Sequence, residues 1–204
     1  MLTPSAPQLI LASASASRAA LLQAAGVPVT IRPADVDEAA IREALGADDA
    51  ILPGDVAEIL GRAKAETVSG GEPAALVIGA DQVLECAGRL FEKPRSMAEA
   101  RRTLLDLAGE THVLHSSVTL AREGEAVWSH TVQAHLTMRP FDARFVGLYL
   151  AQAGEDVLSS VGAYQLEGLG AHLFSRIEGD YFTILGLPLL PLLEQLRQMG
   201  VVAS

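Results

Sequence analysis

The chain has a single cysteine, Cys86, so it forms no intrachain disulfide and no thiolate zinc site. Cys86 falls at the outer turn of a predicted hairpin, a poor place for a nucleophile. The histidines do not assemble a metal set either. His112 and His115 are three apart on a predicted strand, so they point to opposite faces and cannot chelate one ion. His130 and His135 fail the same parity test, and His172 stands alone. Any metal bound should therefore be a hard, oxygen-ligated one. Aromatic residues are few, at 4%, and no apolar run approaches a membrane span. The longest run near the end, Ile184 to Leu193, is broken by Gly186, Pro188 and Pro191. The first residues, MLTPSAPQ, lack the basic region and apolar core of a signal peptide. A soluble, cytoplasmic protein is expected. The formal charge is −10 with no cluster of Lys and Arg, which argues against a nucleic-acid surface. It leaves room for a small anionic substrate, which needs only a few local cations. Walker-type, GxGxxG, GxSxG and HExxH patterns are all missing. P-loop kinases, dinucleotide oxidoreductases, common serine hydrolases and zinc proteases are thereby disfavoured.

The stretch richest in chemistry is Leu76 to Pro94, LVIGADQVLECAGRLFEKP. An apolar run, Ala74 to Ile78, reads as a buried strand ending in Gly79-Ala80-Asp81, with a carboxylate at its C-terminal tip. In open α/β sheets ligands bind at such tips. Val83 to Phe91 reads as a short hairpin around Cys86-Ala87-Gly88, returning Lys93 and Pro94. Asp81, Gln82 and Lys93 are thus expected to face one cleft.

The 204 residues are enough for one domain, with two lobes around a cleft. Gln8 to Ser13 is a predicted strand, followed by Ser13, Ser15, Ser17 and Arg18 and a helix from Ala19 to Ala25 closed by Gly26. Strand, hydroxyl-rich turn and helix N-terminus form an anion site, although one serine also suits a helix cap. Pro28 to Pro33 is a second strand. Asp35-Val36-Asp37-Glu38 then offers three carboxylates, for a divalent metal or, the favoured reading, for capping a helix from Glu38 to Leu45. A loop, Ala47 to Gly54, leads to a long helix, Asp55 to Ser69, with Lys64 near its middle between two alanines that suggest close packing. Ser96 and Glu99 have the spacing of a capping box for a helix ending at Gly109. Two strands, Thr111 to Ala121 and Ala126 to Met138, and a helix, Phe141 to Gln152, come next. Val161 to Gly170, VGAYQLEGLG, is a glycine-rich loop carrying Tyr164 and Glu167. Strands are expected over Ala171 to Ile177 and Tyr181 to Leu185, before a last helix that starts at Gly186 and Pro188 and stops at Gly200. Strands and helices interleave without strict alternation, which implies a mixed sheet.

Taken in order, these segments resemble the Maf-like nucleotide pyrophosphatases. LASASASRAALL (Leu11 to Leu22) is similar to the family's LASxSPRRxxLL opening, and PADVDE (Pro33 to Glu38) to its PxxxDE segment. Lys64 falls on its LAxxKA helix. GADQV and EKP (Gly79 to Val83, Glu92 to Pro94) resemble GADT/GSDQ and GKP, and Gly162 to Leu189 resembles the last third. The resemblance implies an α/β fold with an elongated mixed sheet, flanking helices and a central cleft, related to the inosine triphosphate pyrophosphatases. It implies hydrolysis of a nucleoside triphosphate to monophosphate and pyrophosphate with a divalent cation, Mg²⁺ or Mn²⁺. Asp81 would be the general base. Lys64 and Lys93, with Ser13, Ser15 and Arg18, would hold phosphate oxygens. Glu38 would assist and, with Asp81, ligate the metal. The expected partner is a small-molecule nucleoside triphosphate, with no nucleic acid and no membrane, and with a homodimer as an option.

The chain departs from the pattern at two points. Ala16-Ser17 replaces a Pro-Arg pair, and Glu92 replaces the glycine before Lys93. At the variable positions Ser17, Gln82 and Glu167, the branch acting on dTTP and UTP generally has Arg, Thr and Gln. Gln82 and Glu167 match the branch resembling 7-methyl-GTP pyrophosphatases, whose aromatic residue near Ser17 is absent here, and both are expected near the base. The rival reading is a nucleotide-binding regulator of cell division without significant catalysis, since the family takes its name from inhibition of septum formation. An intact Asp81, Lys64 and Lys93 speak against it.

Overall fold

The computed structural model describes residues 2–46 and 51–203. The expected loop from Ala47 to Gly54 therefore lies partly outside the described residues. A mixed sheet forms the centre, in the spatial order Thr30–Ile31, Leu9–Leu11, Leu76–Cys86, Thr111–Arg122, Glu125–Met138 and Phe174–Glu178, with Arg89–Phe91 paired to Leu76–Cys86 off this path. Strands β1 (Leu9–Leu11), β2 (Thr30–Ile31) and β3 (Leu76–Cys86) run parallel. β5 (Thr111–Arg122), β6 (Glu125–Met138) and β7 (Phe174–Glu178) extend the sheet as an antiparallel meander. β4 (Arg89–Phe91) folds back on β3 through a two-residue turn. Ala87 and Gly88 both have positive φ there, 52° and 77°, as a type I′ hairpin requires.

The expected α/β class and mixed sheet are observed, with corrections in detail. β3 does not end at Asp81. It continues to Cys86 because β5 pairs with it without a break from Val77 to Glu85. Tyr181 to Leu185 is not a strand: Tyr181–Ile184 is a short helix, α6. Asp180 caps it, accepting from the Thr183 N–H at 2.9 Å, and this cap outweighs the β-propensity of Tyr, Phe, Thr and Ile. The strand expected from Ala171 starts only at Phe174, after a 3-10 turn over Leu169–Leu173.

Helices cover both faces of the sheet. α3 (Pro53–Gly70) packs on one face, with Ala65 and Val68 against Val77, and Val56, Ala57 and Leu60 against Val83. The opposite face carries two separate cores. One joins Ile78 and Ala80 to α1 (Ala16–Ala24) and α7 (Leu189–Gln198). The other joins Leu84, Leu114 and Leu136 to α4 (Met97–Leu107) and α5 (Ala143–Ala153). Between Ala80 and Leu84 the same face carries Gln82 instead of an apolar side chain, and the two cores part there. Among the described residues no helix is long and apolar enough to cross a membrane.

Candidate active site

The site follows from a gap in strand pairing. One edge of β3 pairs with β1 over Leu76 to Ile78 and with β4 over Leu84 to Cys86. Gly79 to Val83 therefore have no strand partner on that edge, and a cleft of about 670 Å³ opens there. Because the cleft wraps an open edge, Asp81 and Gln82 both line it although successive side chains point to opposite faces. Ser13, Ser15, Arg18, Glu38, Lys64, Lys93 and Glu167 also line it, so every site residue expected from the sequence is brought to one place.

Arg18 fills part of the missing strand's role. Its Nη1 donates to the Ala80 carbonyl at 2.8 Å and to Ser13 Oγ at 3.0 Å, and its Nε donates to the Gly186 carbonyl at 2.8 Å. Arg18 is buried, and burial lowers its pKa, opposed by Asp81 and Glu38. Ser15 caps α1, accepting from the Arg18 N–H at 3.4 Å, so the helix begins at Ala16, earlier than expected. Ser15 thus meets the capping reading, while Ser13 is bound to the guanidinium.

α3 delivers Lys64. It lies close enough to β3 that a Cβ on Gly79 would overlap the Gly61 carbonyl oxygen and sit 2.7 Å from Ala65 Cβ. That approach, available only to small residues, presses Lys64 onto the strand. Its Nζ lies 2.6 Å from Asp81 Oδ1 and 2.9 Å from Glu38 Oε1, with the Lys64 and Asp81 side chains only 10% and 8% exposed. Glu38 comes from the first turn of α2 (Glu38–Gly46), whose start is capped by Asp37 accepting from the Ala40 N–H at 3.0 Å. The favoured capping reading of the Asp35–Glu38 segment is thus met by Asp37, while Glu38 turns to the cleft.

Arg42 was missed by the sequence reading. Its Nη2 lies 3.2 Å from Asp81 Oδ2 and 3.8 Å from Glu38 Oε2. The signal was local: Arg42 is four residues after Glu38 on one helix, the spacing of a same-face ion pair. Its contact with Asp81 depends on how α2 docks, which no local pattern reveals.

Lys93 follows β4 and retains accessible surface. The protein around it still removes enough water that burial, with Arg18 next, pushes its pKa below the usual lysine value, while Asp81 opposes. Glu92 does not turn its charge on this site unopposed, since Arg95 lies 3.7 Å from it. Five cations and four carboxylates line the cleft, so its lining carries a slight positive excess in a chain whose formal charge is −10.

At the far end, Gln82 is tied down. Its Nε2 lies 2.8 Å from Ser116 Oγ and 3.1 Å from the carbonyls of Thr183 and Ile184, leaving its Oε1 as the polar atom still to be used. The glycine-rich loop wraps Tyr164. A Cβ on Gly162 would overlap the Tyr164 ring, and one on Gly170 would overlap the Gln165 carbonyl. These glycines serve the loop's own packing. Tyr164 is anchored below by His112, with Nε2 2.8 Å from the phenol oxygen, and Glu167 stands exposed on the loop.

The donor set fits a hard divalent ion. Glu38 and Asp81 each turn one oxygen to Lys64 and the other to Arg42, so the two carboxylates face each other closely enough to share a cation on either side. Among the described residues no group of three or more His, Cys, Asp or Glu converges. Two carboxylates completed by substrate phosphates and water is the pattern Mg²⁺ favours over an all-protein cage.

Fold and cleft define an α/β protein with a two-carboxylate, cation-walled site at a gap in its sheet. The chain belongs to the family described as Maf-like protein, whose family model matches residues 8–199. It is 51% identical over 191 residues to a 7-methyl-GTP pyrophosphatase of Brucella abortus, covering 94% of this chain and 96% of that one. It is 49% identical over 196 residues to a 7-methyl-GTP pyrophosphatase of Rhizobium etli, covering 96% and 98%. A nucleoside triphosphate pyrophosphatase of Paramagnetospirillum magneticum is 52% identical over 191 residues, covering 94% and 98%.

Proposed function

We propose that the protein hydrolyses a guanine-type nucleoside triphosphate, 7-methyl-GTP foremost, to the monophosphate and pyrophosphate. The observation that carries this reading is the convergence of Asp81, Glu38 and Lys64 at the open edge of β3, walled by Arg18 and Lys93. The names of relatives near 50% identity agree with it.

Lys64, Lys93 and the free face of Arg18 hold phosphate oxygens and oppose the charge that develops as the α-phosphorus is attacked. Ser13 fixes the Arg18 guanidinium and so the direction of its remaining N–H groups. Asp81 takes a proton from water as the water oxygen bonds to the α-phosphorus, and pyrophosphate leaves with the electrons of the broken P–O bond. Glu38 and Asp81 would hold a Mg²⁺ or Mn²⁺ ion, which when bound supplies charge neutralisation at the phosphates. Glu167 and Gln82 face the base. An ionised Glu167 accepts hydrogen bonds only, which suits the adjacent N1–H and 2-amino groups of guanine. Uracil and thymine present carbonyls on either side of one N–H, a mismatch.

A panel of 7-methyl-GTP, GTP, UTP and dTTP, assayed for products with Mg²⁺ or Mn²⁺, tests the reading. Pyrophosphate should be released, fastest from the guanine-type substrates and not in the presence of chelator. Orthophosphate and a diphosphate as products would place the attack at another phosphorus and overturn it. Binding of these nucleotides without turnover would favour the regulatory rival.

A further inference from the structure

The four charged groups at the heart of the cleft form a closed ring. Asp81 presents Oδ1 to Lys64 at 2.6 Å and Oδ2 to Arg42 at 3.2 Å. Glu38 presents Oε1 to Lys64 at 2.9 Å and Oε2 to Arg42 at 3.8 Å. All four carboxylate oxygens thus face a cation, and the ring is neutral. A divalent ion arriving alone would have to displace one of these cations and would leave a partly buried site with excess positive charge, a costly arrangement. The two cations differ in their freedom to leave. Lys64 is 10% exposed and held against β3 by the close packing of α3, whereas Arg42 is 25% exposed on α2 at the cleft wall.

We propose that Arg42 occupies the metal's place at Asp81 and Glu38 in the nucleotide-free protein, so that the divalent ion is taken up together with the nucleotide and hardly at all before it. The incoming polyphosphate supplies the negative charge that balances the metal. It also offers the released guanidinium a new partner within the same cleft, since Arg forks match phosphate oxygens. By linkage, nucleotide and metal each raise the other's affinity by the same factor. Arg42 is in this sense a positioning residue whose departure couples the two ligands. The inference rests on the reading of Glu38 and Asp81 as the metal-holding pair.

The test is direct Mn²⁺ binding, followed by the paramagnetic resonance signal of the free ion, without nucleotide and with a non-hydrolysable α,β-methylene analogue of GTP. Wild type should bind Mn²⁺ weakly alone and tightly with the analogue. Arg42→Gln should bind Mn²⁺ about 10-fold or more tighter without nucleotide, in the range of ordinary coupling between sites. Arg42→Lys, which keeps a charge, should gain less. Adding Glu38→Gln to Arg42→Gln should abolish the gain, locating it at the ring. Equal nucleotide-free affinities in wild type and Arg42→Gln, with tight binding in the presence of the analogue, would overturn the role of Arg42 alone. Absence of Mn²⁺ binding to wild type even with the analogue would instead remove the metal role of Glu38 and Asp81, and this proposal with it.

Discussion

A carboxylate whose two oxygens are already engaged by cations stays fixed in place, and Asp81 is held this way by Lys64 and Arg42. Asp81→Asn keeps the size of the side chain but cannot accept a proton from water. Glu38 still faces both cations, so neither is left unpaired and the fold should survive. Activity should fall about 10²- to 10⁴-fold, the span of general-base catalysis, with an unchanged circular dichroism spectrum. Wild-type turnover by the folded variant would remove Asp81 from its assigned role. Glu167 allows a second test. As an exposed residue on the loop lining the cleft, it contributes little to folding, so Glu167→Gln should leave stability within about 0.5 kcal/mol. A glutamine amide pairs with either donor or acceptor edges, so the variant should raise kcat/KM for UTP or dTTP relative to GTP. An unchanged ratio would show that Glu167 faces solvent and selects nothing.

At the scale of elements, the site is made by two close approaches, α3 onto β3 and the glycine-rich loop onto Tyr164. Gly79→Ala tests the first. Its new methyl would overlap the Gly61 carbonyl and crowd Ala65, both backbone or rigid neighbours, so the helix itself must move. Overpacking of this kind costs about 1–3 kcal/mol or more. The midpoint of urea denaturation should fall accordingly. Activity should fall further than stability alone explains, because displacing α3 pulls Lys64 from Asp81. A variant with wild-type midpoint and rate would show that the approach is slack. These elements were unequally legible in the sequence. The apolar run before Asp81, the Ala-flanked Lys64 and the Asp and Ser caps stand in local pattern, and local pattern found them. The continuation of β3 past Asp81 was not, because it depends on β5 pairing from some 35 residues away in the chain. Tyr181 to Ile184 carries strand-forming residues in a helix, and the capping Asp180 next to them was the available counter-signal. Arg42 illustrates the same limit: its pairing with Glu38 is local, whereas its pairing with Asp81 belongs to the docking of α2.

For the whole molecule, a buried histidine makes stability depend on pH. His112 is fully buried between Tyr164 and the sheet, with Nε2 bonded to the phenol and Nδ1 without a partner among the described residues. Burial pushes its pKa down to about 4, from an ordinary value of 6.5. Above pH 6.5 the imidazole is neutral in both folded and unfolded chains and contributes no pH dependence. Between 6.5 and about 4 the unfolded chain binds a proton that the folded chain refuses, so stability falls as the pH falls. At about 1.4 kcal/mol per pH unit across that interval, the loss amounts to about 3 kcal/mol. His115, on the opposite face of β5, is also lowered by burial, partly offset by Glu85, and adds in the same direction. Denaturation midpoints measured from pH 7 to pH 4.5 should therefore decline for the wild type. His112→Gln retains a side chain able to meet the Tyr164 hydroxyl but cannot titrate. It should be less stable at pH 7, from imperfect packing, yet lose distinctly less on acidification than the wild type. Carboxylates shared by both proteins titrate equally and cancel in the comparison. Parallel declines in the two would mean that His112 takes up its proton without cost in the folded protein, contrary to its burial.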